Sequence, residues 1–152
     1  MSKENISKST IMFTDIVGYS AMVNKDQEHA MELLSMHDKI IEPIIKQNGG
    51  KIIKKIGDSF FVEFQSPESS IITAQNTQIE LAKRNEVSNP KDKVEIRIGL
   101  HNGDVIRKDD DLFGHDVNLC SRIESLAPVG GIAASADLIE PLSSKEFPYR
   151  EM

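Results

Sequence analysis

The sequence predicts an α/β chain of the α+β sandwich type, with a ferredoxin-like βαββαβ core, a mainly antiparallel sheet and helices packed on one face. Three patterns carry that expectation. Ala30, Leu33, Leu34, His37, Ile40, Ile41, Ile44 and Ile45 recur three and four apart, the spacing of a helix with one buried face. "KIIKKI" and "SFFVEF" are β-rich runs separated by Gly57 and Asp58, the signature of a hairpin. "VEIRIGL" alternates, which puts Val94, Ile96, Ile98 and Leu100 on one face of a further strand.

Residues 1–9 read as a polar tail. One domain follows over 10–152, because 152 residues at 39% apolar suffice for one core and no Pro/Gly/Ser-rich stretch divides them. Residues 10–14 are rich in β-branched and aromatic types, so a short strand should end at Asp15. The helix built on Ala30 to Ile45 comes next, kinked at Pro43 and stopped by Asn48, Gly49 and Gly50. After the hairpin, Ser66 as cap and Pro67 at the first helical position start a second helix that runs to about Arg84. Residues 85–93 form a loop into the strand at 94–100, and "HNGDVIRK" is expected to turn into another strand. "DDD" at 109–111 is a loop, 114–127 a helix closed by Pro128, "GGIAAS" a short strand and 136–142 a helical turn.

Composition narrows the function classes. A formal charge of -6 argues against a nucleic-acid partner, since such surfaces are basic to neutralise phosphates. No basic-then-apolar leader opens the chain, and no apolar run approaches the roughly 18 residues of a membrane span, so a soluble, cytoplasmic protein with no membrane segment is expected. The single cysteine, Cys120, permits no internal disulfide and sits in an apolar helical pattern, where it reads as a small core residue. His29, His37, His101 and His115 have no Cys or second His at zinc-site spacing, which leaves oxygen as the donor for any metal. Neither G-x-x-x-x-G-K-[ST] nor G-x-G-x-x-G is present, so a phosphate substrate would need a cation to mask its charge.

Two constellations stand out. Asp15 and Asp58 each end or turn a strand beside apolar neighbours, and convergent carboxylates at strand ends suit magnesium, a hard cation that takes a few oxygen ligands plus substrate phosphates. Taken singly, either Asp is equally a helix cap or a turn former. In "DLFGHDVNLCSR", Asn118 and Arg122 are four apart and share one helix face. That face is either solvated, or it projects a neutral amide and a fixed cation toward one ligand, Arg being well matched to phosphate oxyanions.

"MFTDIVGYSAM", "KIIKKIGDSFFVEF" and "DLFGHDVNLCSRIESLA" resemble the signature segments of the class III adenylyl/guanylyl cyclase catalytic domain. The similarity spans residues 10–140 and agrees in type and spacing at six separated positions. It implies the class III cyclase fold, with Asp15, Asp58 and the backbone carbonyl of Ile16 holding two magnesium ions, manganese being able to substitute. It further implies that Lys54 and Asp111 select the purine, Asn118 orients the ribose and Arg122 stabilises charge developing on the phosphate. Adenine presents an acceptor at N1 and a donor at N6, complements to an ammonium and a carboxylate; guanine reverses the pattern. ATP is therefore the expected substrate. Lys54 as a strand-edge lysine and Asp111 as a solvated loop acid are the structural alternatives.

The resemblance also implies a head-to-tail homodimer, each site taking its metal carboxylates from one subunit and its purine, ribose and phosphate residues from the other. The expected function is adenylate cyclase, forming 3′,5′-cyclic AMP and pyrophosphate from ATP by in-line attack of the ribose 3′-hydroxyl. A guanylate cyclase and a cyclase-like regulatory module without turnover are the rivals. A diguanylate-cyclase-like enzyme of similar architecture would carry a "GGDEF"-type turn, which this chain lacks. Two departures from the family pattern are expected: the chain stops at "FPYREM", before the usual closing hairpin, and no sensor module accompanies it.

Overall fold

The computed structural model describes residues 5–142 and 145–152; of the expected polar tail, residues 1–4 lie outside the described residues. The elements are β1 (Ile6–Ile16), α1 (Tyr19–Lys25), α2 (Gln27–Gln47), β2 (Lys51–Ile56), β3 (Ser59–Phe64), α3 (Pro67–Glu86), β4 (Ile96–Lys108), β5 (Asp111–Phe113), α4 (His115–Leu126), β6 (Ile132–Ala134) and α5 (Ala136–Ile139). They build a six-stranded sheet in the order β2-β3-β1-β4-β5, with β6 also pairing β4. β6 runs parallel to β4, and every other pairing is antiparallel. Among the described residues no helix is long and apolar enough to cross a membrane.

The local signals behave as their chemistry requires. Asp26 caps α2 by accepting from the His29 N–H at 3.1 Å, and the helix stays unbroken through Pro43. Ser66 caps α3 by accepting from the Ser69 N–H at 3.2 Å, with Pro67 in the first turn where its missing N–H costs nothing. Gly57 takes φ 61° in the β2–β3 turn, a left-handed conformation that favours glycine.

Strand lengths depart from expectation. β1 begins at Ile6 rather than at residue 10, because Ser7, Lys8 and Ser9 pair with Val105, Asp104 and Gly103 through their backbones, which polar side chains do not prevent. The turn expected in "HNGDVIRK" is absent: β4 runs straight through it, paired with β1 from Ile96 to Ile106. The turn comes later, at Asp109 and Asp110 with φ of 53° and 61°. Two consecutive left-handed residues suit a two-residue hairpin loop, and Asp111 opens β5 instead of closing a loop.

Side chains alternate across the sheet. Met12, Ile16, Phe60, Val62, Val94, Ile96, Ile98 and Leu100 pack with α2 and α3 on one face. Ile11, Phe13, Phe61 and Val105 pack with Cys120 of α4 on the other. The expectation that helices share one face thus holds for the two helices of the βαββαβ core and not for α4. What brings α4 down on its own face is Gly99, where a Cβ would lie 2.4 Å from the Glu124 backbone nitrogen. We expect Gly99→Ala to lose about 2 kcal/mol of stability by overpacking, read as a lower urea midpoint; a midpoint like wild type would show that α4 can simply back away.

Candidate active site

The β2–β3 turn leans onto the end of β1. The Ile16 N–H donates to Asp58 Oδ2 at 2.7 Å, which brings Asp15, Ile16 and Asp58 into one cluster from chain positions far apart. Asp15 faces α4 and lies opposite Arg97 in the β1–β4 register. There it meets Glu124, a helix residue only 6% exposed.

Asp15 Oδ1 and Glu124 Oε2 are buried and receive no hydrogen bond from a described protein donor. The two carboxyl groups are within hydrogen-bond reach of each other, so a shared proton or a cation satisfies them. Burial, then the contact with Asp15, pushes Glu124 up to about 8. Burial also raises Asp15, while the Glu124 hydrogen bond and the Arg97 charge hold it down. The proton therefore rests on Glu124, and Asp15 is the member left to receive it or a cation.

The donor set fits a hard divalent cation: Asp15 with its buried, unpartnered Oδ1, the Asp58 carboxylate and the Ile16 backbone carbonyl at the same strand end. No three His, Cys, Asp or Glu side chains form a cage among the described residues.

A second group surrounds a cavity of about 490 Å3 beneath α4. Phe13 and Phe61 stack in its lining with ring centroids 4.5 Å apart, and Lys54, Phe113, Asn118 and Glu124 complete much of it. Lys54 Nζ donates to Asp111 Oδ2 at 2.8 Å and lies 5.7 Å from the Phe113 ring centre. That ammonium, together with the Leu112 N–H, holds the Asp111 carboxyl below the usual carboxylate range. Lys54 reaches this face because of a bulge: Ile52 pairs with Val62, but Lys54 pairs with Phe61, so the strand gains a residue between them.

The structure thus brings together Asp15, Ile16 and Asp58, and separately Lys54, Asp111 and Asn118. Arg122, four residues after Asn118 on α4, is exposed and lies outside the cavity lining. Cys120 is fully buried, as expected of a core residue, with burial holding its thiol far above its usual range. Sequence reasoning missed Arg97 and Glu124. Glu124 had a signal: it stands four residues after Cys120, both buried on one helix face. Arg97 had none, since a charged residue in an alternating strand reads as solvent-facing.

The Glu124 proton has a sign that can be worked out. Its folded value of about 8 stands above the ordinary 4.5, so between those limits the folded chain holds a proton that the unfolded chain releases, and stability falls as pH rises through that window. Glu124→Gln never ionises and should lack that fall. Without divalent cations, the melting temperature of wild type relative to Glu124→Gln should be lower at pH 8 than at pH 6; parallel curves would show that Glu124 is not the proton holder.

Comparison with known proteins places this geometry. The profile described as "Adenylate and Guanylate cyclase catalytic domain" matches residues 1–152. A candidate adenylate cyclase of Rhizobium meliloti is 35% identical over 144 residues, 92% of this chain and 24% of that protein. A receptor-type guanylate cyclase of Caenorhabditis elegans is 30% identical over 162 residues, 95% of this chain and 16% of its own length. The chain therefore spans a quarter or less of these curated relatives. The crystal structure of an adenylate/guanylate cyclase/hydrolase from Silicibacter pomeroyi superposes with a TM-score of 0.85 at 25% identity, covering 96% of this chain and 84% of that one. The monomeric guanylyl cyclase domain of a Blastocladiella emersonii RhoGC fusion protein shares the fold at 22% identity and a TM-score of 0.77, over 88% of this chain and 83% of its own. With the profile matching from the first residue to the last, this chain belongs to the adenylate and guanylate cyclase catalytic domain family.

Proposed function

We propose that the chain is the catalytic domain of an adenylate cyclase, converting ATP to 3′,5′-cyclic AMP and pyrophosphate in a head-to-tail homodimer. The observation that carries this reading is the Lys54–Asp111 ion pair beside an aromatic-lined cavity that Asn118 also lines. An ammonium donates to adenine N1 and a carboxylate accepts from N6, whereas guanine would leave both groups mismatched at about 1–3 kcal/mol each. The aromatic rings offer the flat apolar surface a purine stacks against. Asn118 orients the ribose by hydrogen bonding, and Arg122 neutralises charge that develops on the transferring phosphate.

Asp15, Asp58 and the Ile16 carbonyl would hold magnesium. When bound, the metal pair polarises the phosphates and acidifies the ribose 3′-hydroxyl. The 3′-oxygen bonds to the α-phosphorus as the bond to pyrophosphate breaks, and the hydroxyl proton passes to Asp15 or to water. Arg97, opposite Asp15, offsets negative charge at this corner so that carboxylates and a polyanionic substrate can share it. No protein nucleophile takes part.

Lys54→Glu combined with Asp111→Ser should shift preference from ATP toward GTP, since a carboxylate accepts from guanine N1 and a hydroxyl donates to O6. Initial rates with each nucleotide and magnesium decide it. Unchanged ATP preference would show that this pair does not read the base.

The head-to-tail dimer is part of this reading, and complementation between variants tests it. Asp15→Ala and Arg122→Ala should each be inactive alone. A mixed dimer concentrates both lesions in one site and leaves the other intact, so after subunit exchange activity should return to about a quarter of wild type. If both variants are dimeric and exchange yet the mixture stays inactive, the residues act within one chain.

A further inference from the structure

The start of α4 is held in an unusual way. Its cap residue, Gly114, has no side chain with which to bond the first turn. Instead Asp116, in that turn, reaches across to the sheet. Asp116 Oδ1 lies 2.7 Å from His101 Nε2, and Asp116 Oδ2 accepts from the Asp104 N–H at 3.2 Å. The other ring nitrogen of His101, Nδ1, is 2.7 Å from Ser135 Oγ. His101 is only 1% exposed and its partners Asp116 and Ser135 are half-buried, so both bonds are partly shielded from water, where they hold geometry more firmly than at an open surface.

The chain makes room for this arrangement. A Cβ on Gly103 would fall 2.6 Å from Asp116 Cγ and 2.8 Å from His101 Nε2. Ser135 is itself fixed, its N–H donating to Leu100 O at 3.0 Å. An ionised carboxylate only accepts, and the His101 contact is the first of the causes that hold Asp116 below the usual carboxylate range; Nε2 therefore carries the proton of that bond. Three segments distant in sequence are joined: β4, the first turn of α4, and the link from β6 to α5.

We propose that the Asp116–His101–Ser135 clamp sets the position of Asn118, two residues further along α4, so that His101, Asp116 and Ser135 are positioning residues for cyclisation of the nucleotide. The inference rests on the ribose-orienting role of Asn118 given above. Misplacing a positioning group by a fraction of an ångström lowers turnover more than it lowers binding.

The test compares full-length wild type, Ser135→Ala, Gly103→Ala, Asp116→Ala and Asp116→Asn, each with and without Asn118→Ala, by steady-state kinetics with ATP and magnesium at matched folded fraction. Ser135→Ala is the mildest change and Gly103→Ala displaces the clamp without removing a member. Each should lower kcat about tenfold with KM for ATP within about twofold. Asp116→Asn should lose less than Asp116→Ala, because its amide oxygen still accepts from Nε2 although its amide nitrogen cannot accept from the Asp104 N–H. In the Asn118→Ala background the same substitutions should change kcat by less than about twofold, since the group they position is gone. Equal losses in both backgrounds, or no loss in an active wild-type background, would overturn the clamp alone. A wild-type chain that does not turn over ATP would instead overturn the functional reading, and the clamp's role with it.

Discussion

The unbroken antiparallel pairing of β1 with β4, from Ile6 opposite Ile106 to Ile16 opposite Ile96, is the constraint on which the rest depends. Because side chains alternate along paired strands, the register assigns every residue of both strands to one face or the other. Met12, Ile16, Ile96, Ile98 and Leu100 go to the core under α2 and α3. Asp15, Arg97, Gly99, His101 and Gly103 go to the face that receives α4. A slip of one residue would bury Arg97 among apolar side chains and place Ile98 where Gly99 admits the helix. The ladder thus sets the chemistry of the site as well as the fold.

On that face the protein tolerates groups that a core normally rejects. Buried Glu124 and half-buried Asp15 are two carboxyls in contact, an arrangement that is costly unless a proton or cation lies between them and a positive group stands near. Arg97 supplies the positive group while donating to Ala127 O at the end of α4. Glu124 also lines the cavity of Lys54 and Asn118, so one side chain touches both the carboxylate cluster and the wall of the nucleotide pocket. The two functional halves of the chain are therefore physically adjacent although they serve different sites in the proposed dimer.

The elements whose signals are local were legible in the sequence. The stripe from Ala30 to Ile45, the Ser66–Pro67 start of α3, the hairpin at Gly57 and the alternation at Val94 to Leu100 each reflect one helix or strand meeting one surface. The turn expected at His101 to Asp104 was read from the same kind of cue, a Gly beside polar residues, and there the cue misled. Gly103 is small to admit Asp116, not to bend the chain.

By itself the sequence determined the class of fold and the identity of the polar residues available for chemistry, because those follow from period, turn chemistry and residue type, and three of its segments carried the resemblance to a family. Only the tertiary structure decided which of them meet. Strict alternation from Ile52 would point Lys54 at α2 and α3; the bulge turns it to Asp111. Glu124 and His101 look like ordinary polar residues until Gly99 and Gly103 let α4 close over them. The reason is that burial and pairing depend on a second surface arriving from elsewhere in the chain, and no local pattern records where that surface will be.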